Sequence, residues 1–398
     1  MICKVTKRKI KPFMSFGKMP IANGFLKKKD FKKEYFFNME VGFSKDISLF
    51  QLNSHPKPKM MFNKNYPFFT GSSKGMIDHF RKYSEWIKKK YLKNKKILIE
   101  IGSNDGTFLS NFKKNKIYTL GIEPSHNVAK LSKRNGINTK NCFFNYQNIK
   151  RMKKFHKKTD LICAANAICH IPDIPDLIKG LDFLLEKKGL FIFEEPYLGS
   201  MYEKTSYDQI YDEHIFMFSV SSIMKIFKLY NFDLINVVPQ KTHGGSMRYV
   251  VGRSGEHNIS KNVLKFLAQE KQKKIHSIKG CLRFKKKCEI SKKKLRNKIF
   301  GILKKGKKIA GYAATSKSTT ILNYCNIDNK HIDFICDTTP NKIDTFSPGT
   351  HIPIVSVDHF RKNIPDYTFL FAWNHKKEIF LKEKKNLKKT KWFAHIKI

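Results

Sequence analysis

Three groups of residues in this sequence have the types and spacing for chemistry. The first is the run Tyr207-Asp-Gln-Ile-Tyr211-Asp-Glu213-His214. Tyr211 and His214 are three apart, so a single helical turn would present both on one face. There an imidazole can take a proton and a phenol can relay it. A satisfied structural hydrogen bond would read the same way in isolation. His170, in Ala165-Asn-Ala-Ile-Cys-His-Ile-Pro-Asp173, is predicted to reach the same edge. Three convergent titratable groups favour catalysis over architecture. The second group is Glu100-Ile-Gly102-Ser103-Asn104-Asp105-Gly106. Its glycines let backbone approach a ligand closely. They are four apart with an acid and an amide between them, unlike the G-x-G-x-x-G of pyrophosphate binders. That composition favours a ligand with a cationic, amino-acid-like end. About twenty residues on, Glu123 is placed to accept both hydroxyls of an adenosine ribose. Together they predict a pocket for S-adenosylmethionine. The third group, Gly311-Tyr-Ala-Ala-Thr-Ser-Lys317, reads as strand, loop and helix, a place for an anion near Lys317. One more solvated lysine is the competing reading there.

Such residues need elements to hold them. Ile97-Leu-Ile-Glu-Ile101 and Thr119-Leu-Gly-Ile-Glu123 read as buried strands, with helices carrying Phe108, Leu109 and Phe112 and then Asn127 to Arg134. Cys142–Phe144, Asp160–Asn166 and Gly189–Glu194 follow as third, fourth and fifth strands. Strands alternating with helices at this pitch predict a doubly wound parallel sheet. After the helix Ser221–Tyr230, the runs Phe232–Val238 and Ser246–Val251 have no helix between them. They should close the sheet as an antiparallel hairpin, the methyltransferase version of a Rossmann-like α/β fold. Upstream, residues 1 to about 70 read as irregular apart from Ile47–Leu52, and Ile77–Tyr91 has helical spacing. Downstream, one long helix over Ser260–Leu303 leads to a second, smaller α/β layer.

The chain has 398 residues, 79 Lys and Arg against 32 Asp and Glu, and a net charge of +47. Lysine is spread throughout, so the excess reads as compositional bias, sensitive to salt and attractive to anions, and predicts no specific nucleic-acid partner. The Asn/Asp-Pro-Pro-aromatic element of nucleic-acid methyltransferases is missing after the fourth strand. No run reaches the length of a membrane span, and no apolar segment follows the basic start. Eight cysteines without a C-x-x-C pair point to reduced thiols and a cytoplasmic setting.

Taken in order, Glu100–Leu109, Ala165–Asp173, Tyr211–His214, His243-Gly244-Gly-Ser-Met-Arg248, Gly311–Lys317, Leu322-Asn323-Tyr-Cys325 and Pro348–Pro353 resemble one family. It is the S-adenosylmethionine-dependent C-methyltransferases of nucleotide-linked keto-deoxysugars. The resemblance implies three domains: an N-terminal lobe (1–70), a methyltransferase domain (71–255) and a C-terminal nucleotide-sugar domain (256–398). It implies His214 as base or its relay, with Tyr211, Glu213, His170 and Tyr66 (in Asn65-Tyr-Pro-Phe-Phe69) beside it. Glu100 through Gly106, Glu123, Pro124 and Asn166 would hold the cofactor, and His243, Gly244, Arg248, Lys317 and Asn323 the sugar nucleotide. Transfer to oxygen would need the same cofactor pocket and stays open as an alternative. The family's N-terminal module uses two C-x-x-C pairs for zinc. Here the positions hold Cys3, Thr6, Ser44 and Ile47, one ligand of the four that structural zinc needs, so no metal is expected. Ser318 stands where the family tends to have glycine. A monomer or small homo-oligomer is expected.

Overall fold

Parallel strands buried on both faces need continuous apolar runs, and Ile97–Ile101, Thr159–Ala165 and the apolar half of Leu185–Pro196 supply them. A computed structural model describes residues 1–64, 66–94 and 96–397. These strands form the middle of a seven-stranded sheet, flanked on one side by Tyr118–Ile122 and the two-residue strand Thr139–Lys140. On the other side Ser246–Arg253 runs antiparallel to Leu185–Pro196 and pairs with Phe232–Gln240. The predicted closing hairpin is therefore present. From Ile97–Ile101 the chain proceeds to one side, then returns to place Thr159–Ala165 on the other. This reversal opens a crevice at the carboxyl ends of both strands, where open α/β sheets bind ligands.

Several expectations change. The third strand is Thr139–Lys140, not Cys142–Phe144. After Gly106 there is only the short 3-10 turn Leu109–Phe112, whose apolar residues pack under the helix Lys74–Tyr91. Residues 1–70 are not irregular. Pro12–Pro20, Phe36–Ser44 and Leu49–Leu52 form an antiparallel sheet, completed by Phe216–Met217 from the middle of the chain. Two register shifts in Pro12–Pro20 break the alternation that would have revealed it. The long downstream helix is two helices, Lys261–Gln272 and Ile278–Leu303, parted where Lys274 adopts a positive φ and Ser277 caps the second.

The second α/β layer is five parallel strands, ordered Ile354–Ser356, Ile335–Asp337, Ile309–Tyr312, Tyr367–Leu370 and Lys391–Phe393. Its core merges with that of the N-terminal sheet around Phe50, Tyr207, Ile321 and Phe369. Among the described residues, no helix is long and apolar enough to cross a membrane.

Candidate active site

The strand Ile97–Ile101 ends in a turn that needs glycine. Gly102 has φ +67°, and a Cβ there would stand 2.6 Å from that of Ala167. The turn borders a cavity of about 700 Å³, within the range for a small-molecule site. Glu100, Gly102, Ser103, Asn104, Glu123, Pro124 and Asn166 line it, as do Phe80, Phe108 and Phe144. Glu100 is buried, with one carboxylate oxygen lacking any partner. Burial, then Asp105 and Glu123, push its carboxyl well above the ordinary range. A cationic ligand would relieve this, so the donor set fits the amino-acid end of S-adenosylmethionine. Glu123 accepts the backbone N–H of Ser125 at 2.7 Å and of Asn104 at 3.0 Å. Each oxygen keeps a lone pair for a ribose hydroxyl.

Two residues of the turn do something else. Asp105 and Gly106 do not line the cavity; the Asp105 carboxylate accepts the N–H of Gly71 and both donors of Thr107. Asn104 accepts the Thr70 N–H and donates to the Phe68 carbonyl. The turn thus uses its acid and amide to hold segment 68–71 across the crevice, which sets Tyr66 at the cavity's far end. Asn65, from the same motif, lies outside the described residues.

At that end the proton-transfer candidates meet. His214 Nδ1 lies 2.7 Å from the Gln209 carbonyl, so that nitrogen carries the hydrogen and Nε2 presents its lone pair, to which the Tyr211 hydroxyl donates at 2.7 Å. His170 stacks on His214 with ring centroids 5.4 Å apart, and its Nε2 has no partner. Glu195 receives the N–H groups of Ala167, Ile168 and Cys169, fixing the turn that carries His170. Burial lowers His170 to about 4 and His214 well below its usual value, so both are neutral at pH 7. Tyr66 donates to Glu213 at 3.2 Å. His170, Tyr66 and His243 line the cavity, whereas Tyr211, Glu213 and His214 lie behind them. His243 meets Asn166 at 3.0 Å, joining the closing hairpin to the fourth strand.

Other expected positions fall elsewhere. Arg248 does not reach the cavity. Its guanidinium forms a buried pair with Glu194, which also meets His79, and it stacks over Tyr83 and Trp86. Asn323 is spent on the carbonyls of Thr319 and Pro348. Gly244 packs against Trp373, with no room for a Cβ. Lys317 is drawn over Trp373, its ammonium 3.0 Å from the Asn374 side-chain oxygen. Burial, then Lys204, lowers its pKa against the opposing pull of Asp208. The loop before it offers fewer free amides than expected, since Asp337 takes the Ala314 N–H and a Thr315–Ser318 capping box takes others.

Residues without a local sequence signal complete the picture. Asp208 accepts from the Trp373 indole at 2.7 Å and meets His395 at 3.2 Å. Burial raises the Asp208 carboxyl, but His395 and Lys317 outweigh it. On the opposite side of the 205–214 loop, Ala22 N–H donates to Asp212 and the Asn23 amide to Glu213. Asp212 is fully buried beside Glu213, and both effects raise its carboxyl to about 8 from 3.8. An acid raised on folding costs stability as pH climbs between those two values. Asn in its place keeps an acceptor for Ala22 without the charge. Asp212→Asn should therefore melt higher than the parent at pH 8.5 and nearly level with it at pH 4. Equal offsets at both values, read by differential scanning calorimetry, would overturn this.

The expected zinc positions do not form a ligand set. Cys3 is buried against Ile47 and Leu49, its sulfur accepting the Thr6 N–H. Elsewhere Cys169, His170 and His214 bring donor atoms within 4.8 Å of one another. There, however, the Cys169 thiol faces Glu195 and His214 has both nitrogens engaged.

Three family models match the chain in succession: "Putative zinc binding domain" over 2–62, "Methyltransferase domain" over 76–237 and "C-methyltransferase C-terminal domain" over 241–396. The C-methyltransferase NovU of Streptomyces niveus is 28% identical over 94% of this chain and 90% of its own. Among solved structures, an S-adenosylmethionine-dependent methyltransferase from Clostridium acetobutylicum covers 44% of this chain and 92% of its own (14% identity, TM-score 0.35). Magnesium protoporphyrin IX methyltransferase from Synechocystis, with S-adenosylmethionine bound, covers 45% and 80% (11% identity, TM-score 0.35). Fold, cleft and matched methyltransferase domain define an S-adenosylmethionine-dependent methyltransferase. More narrowly, the chain is a C-methyltransferase with the N-terminal, methyltransferase and C-terminal modules of that family in their order.

Proposed function

We propose that this enzyme methylates a carbon next to the ketone of a nucleotide-linked keto-deoxysugar. The observation that carries this reading is a buried, neutral imidazole pair at the end of a cofactor-sized cleft, backed by a phenol and a carboxylate. A carbon beside a carbonyl is acidic enough for a positioned base, whereas isolated C–H bonds are not. S-adenosylmethionine, when bound, supplies an electrophilic methyl group. Glu100, Gly102 and Asn104 would hold its amino-acid end and Glu123 its ribose. The proton of the sugar carbon passes to Tyr211 as that phenol hands its own to His214 Nε2, so His214 is the base through a relay, with His170 beside it on the cavity wall. Tyr66, held in place by Glu213, orients the sugar. Preorganised donors around the developing enolate contribute through electrostatics and positioning.

We divide the chain into 1–70, 71–255 and 256–398, the last holding the nucleotide end with Lys317 facing the phosphates. Eight free thiols suit a reducing cytoplasm. The N-terminal module is taken to fold without zinc, because three of four ligand positions are Thr6, Ser44 and Ile47. Elemental analysis of purified protein should find well under one zinc per chain, and a chelator should leave Tm unchanged. One tightly held zinc would reverse this.

The test of function is mass spectrometry on a panel of nucleotide-linked keto sugars incubated with methyl-labelled S-adenosylmethionine. One methyl on carbon, stable to mild hydrolysis, is expected. In the same panel Lys317→Ala should raise KM for the sugar nucleotide and leave cofactor affinity alone. Methyl on oxygen, or no transfer to any member, would refute the reading.

A further inference from the structure

The N-terminal module reaches the proposed proton-transfer cluster, and one turn shows how. Pro20-Ile-Ala-Asn-Gly24 leaves the strand Pro12–Pro20 and closes with the Gly24 N–H on the Ile21 carbonyl at 2.9 Å. Asparagine followed by glycine suits such a turn. It projects Asn23 190 residues along the chain to Glu213, donating to one carboxylate oxygen at 2.6 Å. Tyr66 donates to the other oxygen at 3.2 Å. The preceding residue is fixed at both ends, with Ala22 N–H on Asp212 at 3.0 Å and the Ala22 carbonyl accepting from Thr319 at 2.9 Å. The Ala22–Asn23 pair is thus wedged between the 205–214 loop and the helix Ser316–Cys325.

We propose that Asn23 is a positioning residue for methyl transfer, acting through Glu213, and that delivering it is a working role of the N-terminal module. The chemistry of the contact supports this over a mere tie between modules. Glu213 is 3% exposed, and no ion pair among the described residues includes it or its neighbour Asp212. A lysine at position 23 would tie the modules as well but would cancel the carboxylate. A carboxamide orients the acid and leaves its charge available to Tyr66, Tyr211 and the imidazolium that His214 becomes on taking a proton. The inference rests on the reading of this cluster as the proton-transfer site.

Glu213 faces Asn23 and Tyr66 from the N-terminal module, Tyr211, Asp212 and His214 on its own loop, and Cys169 on the fourth-strand turn. Its ionisation therefore reports on Asn23 directly. Full-length protein carrying ¹³C-labelled glutamate, with Glu213→Gln to assign the signal, can be titrated by NMR as parent, Asn23→Ala and Asn23→Asp. Loss of an amide donor to the charged form should raise the Glu213 midpoint by about one to two pH units, and an added carboxylate should raise it further. On a keto sugar that the parent methylates, Asn23→Ala should lower kcat about 10- to 100-fold with cofactor Kd unchanged. The acid limb of Asn23→Asp should move to higher pH. An unchanged Glu213 midpoint in both variants overturns the proposal whatever the substrate. A shifted midpoint with parental kcat overturns it too, leaving Asn23 a structural contact. Failure of the parent on every keto sugar would count against the proposed function and leave the titration to decide on Asn23.

Discussion

Replacing His214 with Asn is expected to lower turnover about 10²–10⁴-fold, the usual contribution of a general base, with little change in S-adenosylmethionine affinity. Two hydrogen bonds prepare this imidazole. The Gln209 carbonyl fixes the hydrogen on Nδ1, and Tyr211 points its hydroxyl at Nε2. Burial, then the neighbouring His170, keeps the ring neutral, so the acid limb due to His214 should lie well below pH 6.5. Asparagine can retain a donor toward Gln209 but offers no basic nitrogen. A purely structural histidine would instead show its loss in Tm. Solvent deuterium exchange separates the two without methyl transfer. Parent enzyme with an unreactive cofactor analogue should exchange the hydrogen beside the ketone, and the variant should not. If a well-folded His214→Asn exchanges at the parental rate, the base is another group. His170, with its unpartnered Nε2 on the cavity wall, is then first in line.

Glu123→Ala is expected to weaken S-adenosylmethionine binding at least tenfold. Hydrogen bonds to a charged acceptor contribute about 1.5–3 kcal/mol each, and a ribose offers two hydroxyls. The variant also strips partners from the Asn104 and Ser125 N–H groups, so some of its effect would come from a loosened Gly102–Gly106 turn. Glu123→Gln separates these contributions. It keeps the shape and an acceptor for one of the two N–H groups, turns its NH2 against the other and loses the charge, so affinity and Tm should both fall between those of the parent and of Glu123→Ala. Unchanged affinity in both variants by calorimetry would place the cofactor elsewhere.

What the sequence made legible is what short-range chemistry encodes. Apolar runs ending in Glu100 and Glu123 announced the sheet and its ligand edge, and two strand runs around His243-Gly-Gly announced the hairpin. The break between Gln272 and Ile278 was hidden because residues 271–277 contain neither glycine nor proline, leaving the Ser277 cap as the one signal. The N-terminal sheet was hidden by its bulges and by a fourth strand, Phe216–Met217, borrowed from far along the chain. Arg248 misled for a different reason. It was assigned only through the family resemblance, and nothing local in the sequence shows that Glu194 neutralises it. Asn23 and Trp373 act across 190 and 165 residues, a separation no spacing rule reads.

That separation governs the order in which the enzyme comes into being. The cofactor cleft is built from residues between about 57 and 243, whereas the loop bearing Tyr211 and His214 is pinned through Asp208 by Trp373 and His395. Contacts closing such long loops form late, after their entropic cost has been met elsewhere. On the ribosome the cleft emerges well before the residues that steady the loop. His243, the last residue of the cleft, is thus synthesised 130 residues before Trp373, the first of the pair that steadies the loop.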